Sequence, residues 1–401
     1  MNRLCPTAED RPGVFYTLGG ILRAFATTVL PKLNFGTRVQ RVLGLLAACG
    51  TPQLGFTLYQ CPHCHGRHGT ARSCGDRHCP RCLAAKSRHW LVQQMRSLLP
   101  VTYYHSVLTL PEELNVLVLL NPTHLYPLLF DAAAQSLLQF GRNRLQGDLG
   151  ISAVLHTWGQ QLNFHPHLHC IVTGGALSSD GQRWRSPKQR KFLFPVKALG
   201  ALFRGKFLAG LQTLFEEDKL RLSDPSLADP QVRQRWLTKL YAQKWVVYAK
   251  RPFGGPAQVL NYLANYTHRV ALSNRRIVAV DEQAQTVTFT WRDYRQGGKV
   301  KPLTLSAHEF LRRFSWHILP AGLVRIRHYG ILGNNRRQRD IPRARTLLQR
   351  RQGAARQLPE PKAPEPMACP HCGRSGLRWI GFIDAQGKTH LKAGVHTSDS
   401  S

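Results

Sequence analysis

The segment Asn163-Phe-His-Pro-His-Leu-His-Cys170 sets three imidazoles at alternate positions, 165, 167 and 169. Along a strand, residues i and i+2 share a face. His167 and His169 can therefore offer two nitrogens to one divalent ion while Leu168 turns to the core. A site that works on a substrate needs a further protein ligand and an open position. Gln160, Gln161 and His156, all just upstream, are the candidates, with Gln160 the first choice. A His-rich site completed by oxygen donors suits a harder or borderline ion, although imidazole also accepts zinc. A second constellation is Tyr262 and Tyr266, four apart in a segment opened by Pro256. On a helix both hydroxyls would lie on one face, a turn apart, where either could attack a phosphodiester. The competing reading is packing, because Val259, Leu263 and Tyr266 also form an apolar stripe. Arg269, Arg275 and Arg276 follow closely and could neutralise a phosphate backbone.

A third constellation is cysteine. Cys61-Pro-His-Cys64 and Cys79-Pro-Arg-Cys82 form a C-x2-C…C-x2-C pair. Two tight turns of this kind bring four thiolates around one zinc, and four protein ligands leave no open position, so the zinc is structural. Cys74 and His78 are spare and either could replace a ligand. Cys369-Pro-His-Cys372 is half of another knuckle with no second pair after it. It shares a metal with distant ligands or binds none.

These groups need elements to hold them. Residues 18–49 read as helical around Pro31, with Gly50 as the stop. Residues 59–82 are punctuated by Gly and show little apolar periodicity, so a metal must organise them, and a helix is expected over 84–99. From about residue 101 the pattern becomes mixed. Strands are expected at 101–110, 151–158, 166–173 and 244–250, a hairpin at 277–280 and 286–291, and helices at 127–140, 195–214 and from Pro256. Gly174-Gly175 and Ser179-Asp180-Gly181 read as turns. Beyond about 336 the chain is crowded with arginine, and 357–366 is a Pro/Glu/Lys linker. The expected fold class is α+β: an antiparallel sheet with flanking helices over 99–335, a helical and zinc-binding domain over 1–98 before it, and a basic, partly disordered tail over 336–401.

The chain has 401 residues, 43% of them hydrophobic, enough for a sizeable core. It carries 55 Lys and Arg against 22 Asp and Glu, a formal net charge of +33. Such a charge repels itself in the folded state and suits a polyanionic partner, nucleic acid first, because neutralised phosphates release counterions. No stretch matches a secretory signal or the roughly 18 apolar residues of a membrane span. The expectation is a cytoplasmic protein whose cysteines stay reduced and bind metal.

In order along the chain stand Ser-Cys74-Gly-Asp-Arg-His-Cys79-Pro-Arg-Cys82, Tyr104-His105-Ser-Val-Leu-Thr-Leu-Pro111, and the run from His156 to His169. After them come Trp245 to Lys250, Tyr262-Leu-Ala-Asn-Tyr266-Thr-His-Arg269, Ser273-Asn274, Glu309 to Phe314, Leu319-Pro320 and Arg325 to Gly330. This ordered set, over roughly residues 55 to 335, resembles the rolling-circle transposases of the insertion-sequence ninety-one family. Those are two-tyrosine HUH enzymes, named for a His-hydrophobic-His motif. Gly75-Asp76 departs mildly from the more basic residues expected there. The resemblance implies that His167 and His169 hold Mg2+ or Mn2+. It implies that Tyr262 or Tyr266 attacks single-stranded DNA at the ends of a mobile element to give a 5′-phosphotyrosine, and that rejoining needs no ATP. It does not fix the third ligand. The alternatives are an HUH nickase serving plasmid replication or transfer, or a non-catalytic zinc-containing DNA-binding protein. No Gly-x4-Gly-Lys-Ser/Thr phosphate loop supports a fused helicase, and Asp281, Asp293 and Glu309 form no carboxylate triad.

Overall fold

A computed structural model describes residues 16–83, 97–187, 193–249, 258–259, 270–352 and 367–393. Among them the elements run α1 (Leu18–Ala24), α2 (Thr37–Ala48), β1 (Phe56–Gln60), β2 (Arg67–Ala71), β3 (Tyr103–Thr109), α3 (Asn115–Leu120), α4 (Pro122–Leu145), β4 (Gly147–Trp158), β5 (Phe164–Ser178) and β6 (Trp184–Arg185). They continue with α5 (Val196–Glu216), α6 (Pro230–Ala242), β7 (Val247–Ala249), β8 (Ile277–Asp281), β9 (Thr286–Asp293), β10 (Lys299–Ser306), α7 (Ala307–Ser315), β11 (Ile326–Gly330), α8 (Arg337–Gln352), β12 (Arg378–Ile383) and β13 (Thr389–Leu391). The fold class is α+β. Contacts divide the chain into two units, Met1–Arg88 with His268–Ile318 and Glu360–Ser401, and His89–Thr267 with Leu319–Pro359. This grouping differs from the linear division at 98 and 335, because segments far apart in the sequence pair with one another.

The second unit is built on an antiparallel sheet, ordered β11-β4-β5-β3-β7 among the described residues, with β6 paired to the far end of β5. Its central strand β5 is buried on both faces almost throughout. Leu108, Leu168 and Leu155 stand side by side on one face, in the register Leu108↔Leu168 and Leu155↔Leu168. Helices α4 and α5 pack on this face: Val247, which pairs with Leu108, lies beside Gly200 of α5, and Leu149 fills the space beside Gly141 of α4. Helix α4 begins at Pro122, five residues before the expected Pro127. Proline fits the first turn at Pro122, and the helix carries Pro127 in its second turn. Across the sheet, Tyr103, Ile171, Leu177 and Trp184 join Ile341, Ala344 and Leu348 of α8 in a buried cluster. That amphipathic spacing makes a helix of residues 337–352 within the stretch expected to be a basic, partly disordered tail.

Gly174-Gly175 is not a turn but part of β5. The Thr102 carbonyl accepts from Gly174 N at 2.6 Å, and the Trp184 indole occupies the space a side chain on Gly175 would need. The glycines permit close approach, and Ser179-Asp180 makes the reversal instead. The helix expected over 84–99 lies, for residues 84–96, outside the described residues, as does the 357–366 linker.

In the first unit, Thr17 caps α1 by accepting from Gly20 N at 3.0 Å. The cysteine-rich segment forms the hairpin β1–β2, which enters a sheet ordered β13-β12-β1-β2 with strands from the far end of the chain. The registers include Phe56↔Ile383 and Tyr59↔Trp379. The hairpin β8–β9 gains a third strand, β10, along Ser306↔Thr286 to Lys299↔Asp293. Pro302 argues against a strand in the sequence, yet β10 is an edge, where a missing N–H is tolerated. Helix α7 follows, capped by Ser306 accepting from Glu309 N at 3.2 Å.

Candidate metal centres

The face of the sheet opposite the leucines carries histidine. Registers His156↔His167 and Val107↔His169 bring β4, β5 and β3 together there. The ligand nitrogens of His156, His167 and His169 all lie within 4.8 Å of one another, and the three side chains are buried. His167 Nε2 and His169 Nε2 are 3.2 Å apart. With metal–nitrogen bonds of about 2.1 Å, neighbouring ligands stand ~3.0 Å apart in an octahedron and ~3.4 Å in a tetrahedron, so the spacing fits one shared ion.

The outer nitrogens of the pair are already engaged. His167 Nδ1 lies 2.6 Å from the His165 carbonyl, which can only accept, so Nδ1 carries the proton and Nε2 presents its lone pair. His169 Nδ1 lies 2.9 Å from His105 Nε2, and the two rings stack at 11°. His105 is itself buried on β3. The carbonyl fixes the tautomer of His167, and the stacked His105 ring helps to fix the orientation of His169, as partners behind ligating histidines usually do. His156 stacks on Trp158 with ring centroids 4.6 Å apart. Three neutral imidazoles would leave a bound cation its full charge for an anionic substrate.

Of the three third-ligand candidates, His156 is the one that strand register gathers with His167 and His169. Gln160 lies beyond the end of β4, in the turn closed by Gly159 N donating to the Asn163 carbonyl at 2.9 Å. His156 stands directly opposite His167. His165, on the same strand side as His167, is exposed and outside the cluster. Tyr262, Tyr266 and Arg269 lie outside the described residues. The same segment is helical at Gln258 and Val259, and Val259 is fully buried in the cluster that holds Ile171, two residues past His169. Arg275 is exposed. Arg276 is turned into the small sheet, its Nε donating to the Thr290 carbonyl at 2.7 Å and its guanidinium 5.4 Å from the Phe289 ring.

The expected single site of Cys61, Cys64, Cys79 and Cys82 is also corrected. Those residues divide between two clusters, Cys49 with Cys74, Cys79 and Cys82, and Cys61 with Cys64, Cys369 and Cys372. In the first, sulfurs stand 3.5 Å apart for Cys79–Cys49 and 3.6 Å apart for both Cys49–Cys82 and Cys74–Cys82. A tetrahedron with Zn–S bonds of about 2.3 Å has edges of ~3.8 Å, and a disulfide would be far shorter. Cys49 was not singled out in the sequence because it has no C-x2-C partner. Its signal is Cys49-Gly50 at the end of α2, where φ of +74° at Gly50 turns the chain and the Arg81 guanidinium takes the space of a side chain. His78, a spare ligand in the sequence, pairs through Nδ1 with Asp76 at 2.7 Å.

A family model described as "Putative transposase" matches residues 150–339, and one described as "Transposase zinc-binding domain" matches residues 21–110. The "Putative transposase y4qJ" of Sinorhizobium fredii is 41% identical over 87% of this chain and 85% of its own length. The transposase for insertion sequence element IS801 of Pseudomonas savastanoi pv. phaseolicola is 30% identical over 72% of this chain and 69% of its own length. Among solved structures, the conjugative relaxase TrwC in complex with oriT DNA, metal-bound, aligns over 40% of this chain and 69% of that one, at 16% identity and a TM-score of 0.23, too low to carry weight. Identity sustained across most of both transposases, with the two family models falling on the cysteine-rich segment and the histidine strands, means that this chain belongs to the insertion-sequence ninety-one (IS91) family of transposases.

Proposed function

We propose that the chain nicks and rejoins single-stranded DNA at the ends of its own mobile element by tyrosine attack, as an HUH-type rolling-circle transposase. The observation that carries the reading is the trio His156, His167 and His169, buried on one sheet face with their ligand nitrogens within 4.8 Å of one another. A divalent ion there, Mg2+ or Mn2+, would polarise the scissile phosphate. The nucleophile is Tyr262 or Tyr266. Its phenolic oxygen forms a bond to phosphorus, the bond to the 3′ oxygen breaks, and that oxygen leaves as a 3′-OH, the phenolic proton passing to solvent or a nearby base. The product is a 5′-phosphotyrosine, which keeps the bond energy so that attack by another 3′-OH reseals the strand without ATP. Val259, three residues before Tyr262 in the chain, belongs to the buried cluster that includes Ile171, and this supports the reading. Arg269 and Arg275 would then contact the DNA backbone, and the protein would work at the nucleoid in the bacterial cytoplasm.

The test is a denaturing gel. Purified protein with Mn2+ is incubated with labelled single-stranded oligonucleotides from the element ends. A covalent adduct is expected that requires metal, persists with one of Tyr262→Phe and Tyr266→Phe, and vanishes in the double variant. Binding of authentic ends with no adduct in wild type would overturn the tyrosine mechanism and leave a zinc-dependent DNA-binding protein.

A further inference from the structure

The first cysteine cluster lies within the segment that the zinc-binding family model covers, but the second draws half its thiols from residues 369 and 372, far outside it. Sulfurs meet there at 3.7 Å for Cys61–Cys372 and 3.7 Å for Cys64–Cys369, again close to the ~3.8 Å edge of a zinc tetrahedron. The two halves are the same small device used twice. Each reads Cys-Pro-His-Cys. In each, the first cysteine donates its N–H to the carbonyl five residues on, Cys61 to Gly66 at 3.0 Å and Cys369 to Arg374 at 2.8 Å. In each, the residue four on donates back, His65 to Cys61 at 3.0 Å and Gly373 to Cys369 at 2.8 Å. That residue is left-handed in both, φ +56° at His65 and +71° at Gly373. Gly66 lies so close to the His371 ring that a side chain there would press on it. The strand pairing β1–β12 runs directly out of the two knuckles and holds them face to face.

We infer that Cys61, Cys64, Cys369 and Cys372 bind a second structural zinc, forming a ribbon whose two knuckles come from opposite ends of the chain. The chain thus carries two tetrathiolate zincs. They differ in access: Cys64 and Cys372 are exposed, whereas in the first cluster Cys79 and Cys82 are buried and Cys49 and Cys74 half-buried. The ribbon zinc is therefore the one that thiol reagents and chelators reach first.

The test is metal content of the full-length protein. Wild type exchanged into metal-free buffer is expected to hold two zincs per chain by mass spectrometry, and the Cys369→Ser/Cys372→Ser variant one. With an organomercurial in excess, wild type should release one equivalent quickly and one slowly, and the variant should lack the fast phase. Because the variant could misfold, wild type stripped of zinc is also titrated with Co2+. Thiolate-to-cobalt charge-transfer absorbance should rise to two equivalents with the intensity of four thiolates each. A single thiolate-bound cobalt equivalent in wild type, or two in the variant, overturns the inference.

Discussion

At the scale of single residues, the histidine cluster makes sharp distinctions. His156→Ala should weaken Mn2+ binding and abolish metal-dependent cleavage, while Gln160→Ala leaves both near wild type; isothermal titration with Mn2+ and the cleavage gel check this, and the opposite pattern would restore Gln160 as the ligand. His105 never touches the metal position, but its Nε2 holds His169 Nδ1 at 2.9 Å. Loss of such an outer partner commonly costs roughly 10- to 100-fold in metal affinity or activity. His105→Leu is expected to fall in that range in Mn2+ affinity, with tyrosine-dependent cleavage restored by raised Mn2+, a rescue that a merely unfolded variant would not show. Cys170 behaves differently from the clustered cysteines: full burial pushes its thiol up to about 12, so it stays an inert core residue.

At the scale of elements, strand β11 shows how a sheet edge is secured. Gly330 has φ +63°, and a Cβ there would run into the Leu149 carbonyl. Gly330→Ala combines a strained backbone with a clash against main chain, and a loss of about 2 kcal/mol or more is expected in urea unfolding. Two residues earlier, His328 Nδ1 lies 2.9 Å from Ser152 Oγ. Burial, helped by the nearby Arg337 charge, depresses His328 from 6.5 to about 4. Between those values the unfolded chain takes up a proton that the folded chain refuses, so stability is present above about pH 6.5 and is lost as the pH falls toward 4. His328→Gln should narrow the gap between urea midpoints at pH 7.5 and pH 5; an unchanged gap would mean that other groups carry the acid sensitivity. Among the described residues, the elements legible in the sequence were those with clean periodicity, such as β4, β5 and the β8–β9 hairpin. Those obscured were β10, carrying Pro302, and α8, where arginines hide the spacing of Ile341, Ala344 and Leu348.

At the scale of the whole molecule, the net charge of +33 dominates encounter with DNA. Release of counterions makes log K fall linearly with log salt, and on single strands a protein that neutralises about 6–10 phosphates loses roughly 3 × 10²- to 2 × 10⁴-fold between about 50 and 200 mM. Binding of single-stranded oligonucleotides, followed by fluorescence anisotropy, should show at least the lower figure for random sequence as well as for element ends. A flat salt response would mean that most of the charge faces away from DNA. No described helix is long and apolar enough to cross a membrane.

The amino-acid sequence by itself determined the kinds of chemistry available. Alternation at 165, 167 and 169 put two imidazoles on one face because a strand has a period of two, and the cysteine turns called for zinc because nothing else organises such a segment. Both depend only on neighbours in the chain. Which groups share a site depended on contacts across long separations, and only the tertiary structure decided those. Strand register set His156 rather than Gln160 opposite His167 and placed His105 behind His169. Pairing of β1 with β12 sent Cys61 and Cys64 to partners 305 and 311 residues away, and left Cys79 and Cys82 to Cys49 and Cys74. A spacing rule reads the local turn that aims a ligand, whereas the partner across a metal is chosen by the fold that brings two turns together.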